Sequence, residues 1–120
     1  ADAMAYQLRA RAMFESVLGG RDDHALASCL NNLAALYQQG EKYAEAVALF
    51  EQAARMRERL VGDGDDADLA LNLGNLGVAY TLLAEWAKAE PPLKRSMAMV
   101  ERLHPGRAHP DAVAALNALG

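Results

Sequence analysis

LNNLAALY at residues 30–37 returns as LGNLGVAY at residues 73–80, 43 places later. After a gap of five residues, Tyr43, Ala44, Glu45 and Ala46 fall on Trp86, Ala87, Lys88 and Ala89. Phe50 then falls on Leu93, Ala53 on Ser96, Met56 on Met99 and Leu60 on Leu103. The register extends in both directions. LNALG at residues 116–120 falls on LGNLG at 73–77, and Ala10, Met13 and Val17 fall under Ala53, Met56 and Leu60. The chain therefore divides into half a repeat (1–20), two full repeats (21–62 and 63–106) and half a repeat (107–120). A period of this length marks an array of supersecondary units that bury their apolar faces against one another.

Each full repeat holds two helical patterns. Leu26, Leu30, Leu33 and Tyr37 recur at the spacing of one helix face, as do Leu69, Leu73, Leu76 and Tyr80. Ala46, Phe50, Ala53, Met56 and Leu60 mark the face of a second helix. Gly40 separates the helices of the first pair, and Gly62 and Gly64 separate one repeat from the next. Asp22, Asp66 and the run His109, Pro110, Asp111 stand at expected helix starts, where a carboxylate can cap open N–H groups. Ala34 and Gly77 are expected to face Ala46 and Ala89, small against small, so that two helices approach closely. Pro91 and Pro92 fall inside the second helix of the second repeat if it starts near Glu85, which predicts a bend there. The alternative is a start near Glu90.

Composition agrees with helices. Among 120 residues, 26 are Ala and 18 are Leu, against six Val, one Thr and no Ile. Strands favour β-branched residues, so an all-α fold of helix-turn-helix hairpins is expected. The net charge is −4, and nine Arg and three Lys are interleaved with sixteen acids, which argues against a nucleic-acid partner. The densest basic stretch, Arg55, Arg57 and Arg59, lies among Glu51 and Glu58 and reads as a solvated helix face. Cys29 is the only cysteine, which rules out an internal disulfide and suits a reducing, cytoplasmic setting. The longest runs without charge or His, 25–40 and 69–84, are 16 residues each. A membrane span needs about 20, so no membrane partner is expected. No apolar signal-peptide segment is seen near Asp2 and Arg9. Beginning on Ala1 inside a helical pattern, the chain reads as processed or as a piece of something longer.

The pattern resembles tetratricopeptide repeats of the long, kinesin-light-chain-like type. The family's Leu, Leu, small residue and Tyr match Leu30, Leu33, Ala34 and Tyr37, then Leu73, Leu76, Gly77 and Tyr80. Its Ala, aromatic and Ala match Ala46, Phe50 and Ala53. Ala89, Leu93 and Ser96 follow in the next repeat, without the aromatic. The resemblance implies a right-handed α-solenoid whose first helices line a concave groove for peptides or partner proteins. It implies scaffolding, not catalysis, and no cofactor.

On that reading the groove face carries Ser28, Asn31, Asn32, Ala35 and Gln39 in the first repeat, Leu71, Asn75 and Val78 in the second, and Asn117 in the last half repeat. Asn offers a donor and an acceptor and can pair with an extended peptide backbone. The resemblance gives Asn32 and Asn75 that clamping role. No Lys or Arg occurs in 22–41 or 60–87, so the groove is expected to lack cations and to refuse an acidic peptide tail. An alternative function is self-association as a homodimer through the solenoid ends, where Ala112, Val113, Leu116 and Leu119 have no following helix.

Other constellations are weak. Asp63, Asp65, Asp66 and Asp68 lack the Gly and Glu that a calcium loop needs at its sixth and twelfth places; those places hold Asp68 and Gly74. His104 and His109 have no neighbouring third ligand in sequence, so no metal is expected. No phosphate loop and no nucleophile–base arrangement is found, and no catalytic residue is expected.

Overall fold

The computed structural model describes residues 2–105. Five α-helices follow in order: α1 (Asp2–Leu18), α2 (His24–Gln39), α3 (Tyr43–Val61), α4 (Ala67–Leu82) and α5 (Trp86–Leu103). No strand occurs among the described residues. The 43-residue register holds at the level of the elements, since both ends of α2 and the start of α3 recur in α4 and α5. Residues 107–120, including Asn117 and Leu116, lie outside the described residues.

Two compact units divide the chain, Ala1–Gly62 and Asp63–Gly120. In the first, α2 packs against both α3 and α1. Leu26, Leu30, Leu33 and Ala34 of α2 are buried, as are Ala46, Phe50, Ala53 and Met56 of α3. Leu60, expected on the same buried face, is 37% exposed, because it lies at the end of α3 where α2 no longer covers it.

In the second unit α4 packs on α5. Leu69, Leu73 and Leu76 of α4 are buried, as are Ala89, Leu93, Ser96 and Met99 of α5. A Cβ built on Gly77 would overlap the Leu93 side chain and lie 3.3 Å from the Ala89 carbonyl oxygen. The close approach expected at Gly77 and Ala89 is therefore real. Ser96 stays buried because its hydroxyl donates to the Ala70 carbonyl at 2.7 Å.

The two hairpin turns are copies of one another, bond by bond. Lys42 N–H reaches the Tyr37 carbonyl and Glu85 N–H the Tyr80 carbonyl, both at 2.9 Å. Glu41 N–H meets Gln38 at 3.0 Å and Ala84 N–H meets Thr81 at 2.9 Å. This is the Schellman arrangement, which needs one left-handed residue after the helix. That residue is Glu41 (φ 62°) in one turn and Ala84 (φ 61°) in the other, neither of them glycine.

Helix starts differ from expectation in one place. Asp23, not Asp22, caps α2, its Oδ1 accepting from the N–H of Ala25 at 2.8 Å and of Leu26 at 3.2 Å. Asp66 caps α4 through the Leu69 N–H at 2.9 Å, as expected. Asp22 turns instead to Arg59 at the far end of α3, and Asp65 turns to Arg102 in the same register. α5 begins at Trp86 and runs through Pro91 and Pro92 without interruption, so the later start near Glu90 is excluded. The carbonyls of Ala87 and Lys88 have no N–H four residues on.

Candidate peptide-binding faces

Successive residues turn about 100° around a helix, so Ser28, Asn32, Ala35 and Gln39 fall within one sector of α2. That sector faces away from Leu30 and Leu33. Ser28, Asn32 and Gln39 are exposed, and Asn31 and Ala35 are half-buried. The equivalent sector of α4 is apolar apart from Asn75. Leu71 is 48% exposed and Leu82 44%, with Asn75 and Val78 half-buried between them. Asn32 and Asn75 occupy the same repeat position, each on a helix whose open sector carries no ionisable side chain between its first and last turns.

Beneath this surface one residue departs from the sequence expectation. Arg57 is not part of a solvated face; it is 4% exposed. Its guanidinium leaves α3 toward the first turns of α2. Nη1 lies 3.1 Å from His24 Nδ1, and Nη2 donates to Ser28 Oγ at 2.6 Å and to the His24 carbonyl at 3.4 Å. No Lys or Arg stands on the open sector of α2; the buried Arg57 reaches Ser28 from α3.

The neighbouring charges are committed elsewhere. Asp22 takes two bonds from Arg59, Nε and Nη2 each at 2.8 Å. Asp65 takes the same fork from Arg102 at 2.8 to 2.9 Å. These guanidinium bonds hold both carboxyls below the ordinary aspartate range. Cys29 is buried, and its Sγ donates to the Gln7 carbonyl of α1 at 3.4 Å. Burial pushes its thiol up, away from the thiolate form a nucleophile needs. Among the described residues, no group of three or more His, Cys, Asp or Glu could hold a metal ion. No helix among them is long and apolar enough to cross a membrane.

A hairpin pair with one register of turns, caps and ion pairs is what a repeat family would conserve. The family model described as tetratricopeptide repeat matches residues 26–67 and 73–111. The chain belongs to the tetratricopeptide repeat family. Its fold is the all-α helical-hairpin class whose repeats build α-solenoids. Tetratricopeptide repeats are in general protein–protein interaction scaffolds. No curated protein matches the chain.

Proposed function

We propose that this tetratricopeptide protein is a non-catalytic scaffold that binds a peptide or a partner protein along the open sectors of its first helices, α2 and α4. The binding residues on this reading are Ser28, Asn31, Asn32, Ala35 and Gln39 on α2, and Leu71, Asn75 and Val78 on α4. Asn117, which lies outside the described residues, belongs to the same proposal. The observation that carries the reading is the recurrence of an Asn, Asn32 and Asn75, at one register position on two such sectors. Each amide can donate to and accept from a peptide backbone whatever the ligand's side chains are. The α4 sector adds apolar contact through Leu71, Val78 and Leu82, and the α2 sector adds polar contact.

The test is a peptide array probed with the wild-type chain and with Asn32→Asp and Asn75→Ala. Peptides retained by the wild type and lost by both variants support the reading. Peptides bound equally by all three chains would remove these sectors as the site.

A second reading, self-association, is favoured by α1. Tyr6, Met13 and Val17 are 70%, 67% and 70% exposed, whereas Leu49 and Met56, the register equivalents of Tyr6 and Met13 in α3, are buried. Light scattering over a concentration series separates the two. A mass near the 12.9 kDa of one chain at every concentration excludes the dimer.

Repeat units at 1–20, 21–62, 63–106 and 107–120, the long kinesin-light-chain-like subtype and a cytoplasmic setting belong to the same proposal. The 43-residue spacing and the single buried thiol support them.

A further inference from the structure

α1 carries an apolar stripe that its own chain leaves open. Tyr6, Met13 and Val17 stand well exposed on it, with half-buried Ala10 between them. At about 100° per residue, these four fall within a sector of about 60°. Met4, Gln7, Phe14 and Leu18, the half-buried side of α1, lie roughly a quarter turn away. The spacing of Tyr6, Ala10, Met13 and Val17 is that of a coiled-coil seam. No Asp, Glu, Lys, Arg or His stands on it.

The stripe is complementary to itself. Laid antiparallel about a two-fold axis between Arg11 and Ala12, two copies set Ala10 against the partner's Met13 and Tyr6 against the partner's Val17. The smaller residue faces the larger in every layer, so the helices can approach closely and fill the space between them. Parallel copies would set Tyr6 on Tyr6 and Ala10 on Ala10, crowding one layer and leaving the next empty. The polar residues around the stripe agree with the antiparallel choice. Arg9, exposed beside it, comes near the partner's Ser16, an exposed hydroxyl, and not against a like charge. Arg21, whose guanidinium holds the Leu18 and Val17 carbonyls at the end of α1, comes to the partner's Asp2, where α1 begins. Residues of opposite charge thus stand together at both ends of the pair. Covering the stripe and its margins on both copies buries roughly 1,000 Å², the low end for a specific contact.

We infer that α1 pairs with α1 of a second copy, antiparallel and in this register, to form a weak two-fold dimer. The inference rests on the self-association reading and names its surface and geometry. The stripe shares no residue with the open sectors of α2 and α4.

The experiment is disulfide trapping in the full chain. Ala10→Cys and Met13→Cys, one of them carrying a mass tag, are mixed and oxidised with copper–phenanthroline. Cys29 is kept because it is buried, and the wild type is oxidised alongside as the control. The bridge between unlike variants is expected to dominate, since only opposed places lie within disulfide reach. Sedimentation to roughly 1 mM reads the association itself. Met13→Glu should weaken it about tenfold or more, because each dimer then buries two charges. Leu8→Glu, exposed on the opposite side of α1, should leave it unchanged. Circular dichroism checks that both variants keep their helices. A single-chain mass at every concentration with no trapped pair would overturn this inference and the self-association reading together. A dimer indifferent to Met13→Glu, or trapped mainly as like pairs, would overturn the α1 pairing alone and leave self-association to another surface.

Discussion

Gly77→Ala sets two opposing effects against each other on one carbon atom. In a helix interior Ala is more favourable than Gly by about 1 kcal/mol, so on propensity alone α4 should gain. The structure argues the other way. The added Cβ would overlap Leu93, which is fully buried, and would press to 3.3 Å from the Ala89 carbonyl. The far side of that contact is partly backbone, which cannot rotate aside. Overpacking of this kind costs about 1–3 kcal/mol. The packing cost should win, for a net loss of roughly 1–2 kcal/mol. The first hairpin shows how the contact can be relieved, since it carries Ala34 where the second has Gly77 and Phe50 where the second has Leu93. Gly77→Ala/Leu93→Phe should therefore recover part of the loss. Urea unfolding followed by fluorescence is the assay. The only tryptophan, Trp86, opens α5 and is 62% exposed, so it reports on the affected hairpin. With a slope of about 1 kcal/mol per molar urea, the midpoint should fall by about 1–2 M. A midpoint at or above that of the wild type would refute the close-approach argument.

Glu41→Gly and Ala84→Gly should each raise the melting temperature. The left-handed conformation costs an L-residue about 1–2 kcal/mol, and glycine's greater chain entropy offsets only about half of that. Unchanged or lower melting would mean that the turn is not held left-handed in solution. Asp23→Ala and Asp66→Ala should each cost about 1 kcal/mol through the lost cap, whereas Asp22→Ala should leave helix content unchanged; thermal unfolding by circular dichroism compares the three. The Asp22–Arg59 and Asp65–Arg102 pairs should show in acid. Both carboxyls lie below their ordinary value of 3.8 when folded, so their contribution is fully present above that value and fades as pH falls through the lower folded value. Asp22→Asn/Asp65→Asn should flatten the pH dependence of stability in that range, and an unchanged acid profile would count against the pairs.

Much of this fold was legible because a repeat reads each position twice. Leu30 and Leu73, Tyr37 and Tyr80, and Ala46 and Ala89 each confirm the other, and the helix boundaries followed from that agreement. The cap was misplaced by one residue because Asp22 and Asp23 are adjacent carboxylates. Sequence does not say which one carries the extended backbone that points its side chain at the helix amides. Asp65 and Asp66 repeat the same pair of roles, and reading that doublet in register would have assigned both. Arg57 was missed for a related reason. In sequence it stands between Arg55 and Arg59, but neighbours in a helix face different ways. Its register equivalent Val100 is apolar, and an arginine standing on a buried register was the available signal. Of the binding sectors, the exposed positions of Asn32 and Gln39 follow from helical spacing. The engagement of Ser28 by a side chain 29 residues away does not.

The two aspartate–arginine forks span 37 residues each, and each closes within its own hairpin. A fork ties the segment leading into a hairpin to the last turn of that hairpin's second helix. The stretch between the forks, Leu60 to Gly64, is therefore a natural seam in the coding sequence. Duplication or recombination at that seam would copy a hairpin together with its own fastening, cap and turn, and would leave the parent hairpin's fastening intact. A chain built in this way can lengthen or shorten by whole hairpins without reworking any ion pair. Individual positions on the open sectors, such as Ser28 against Leu71, remain free to diverge.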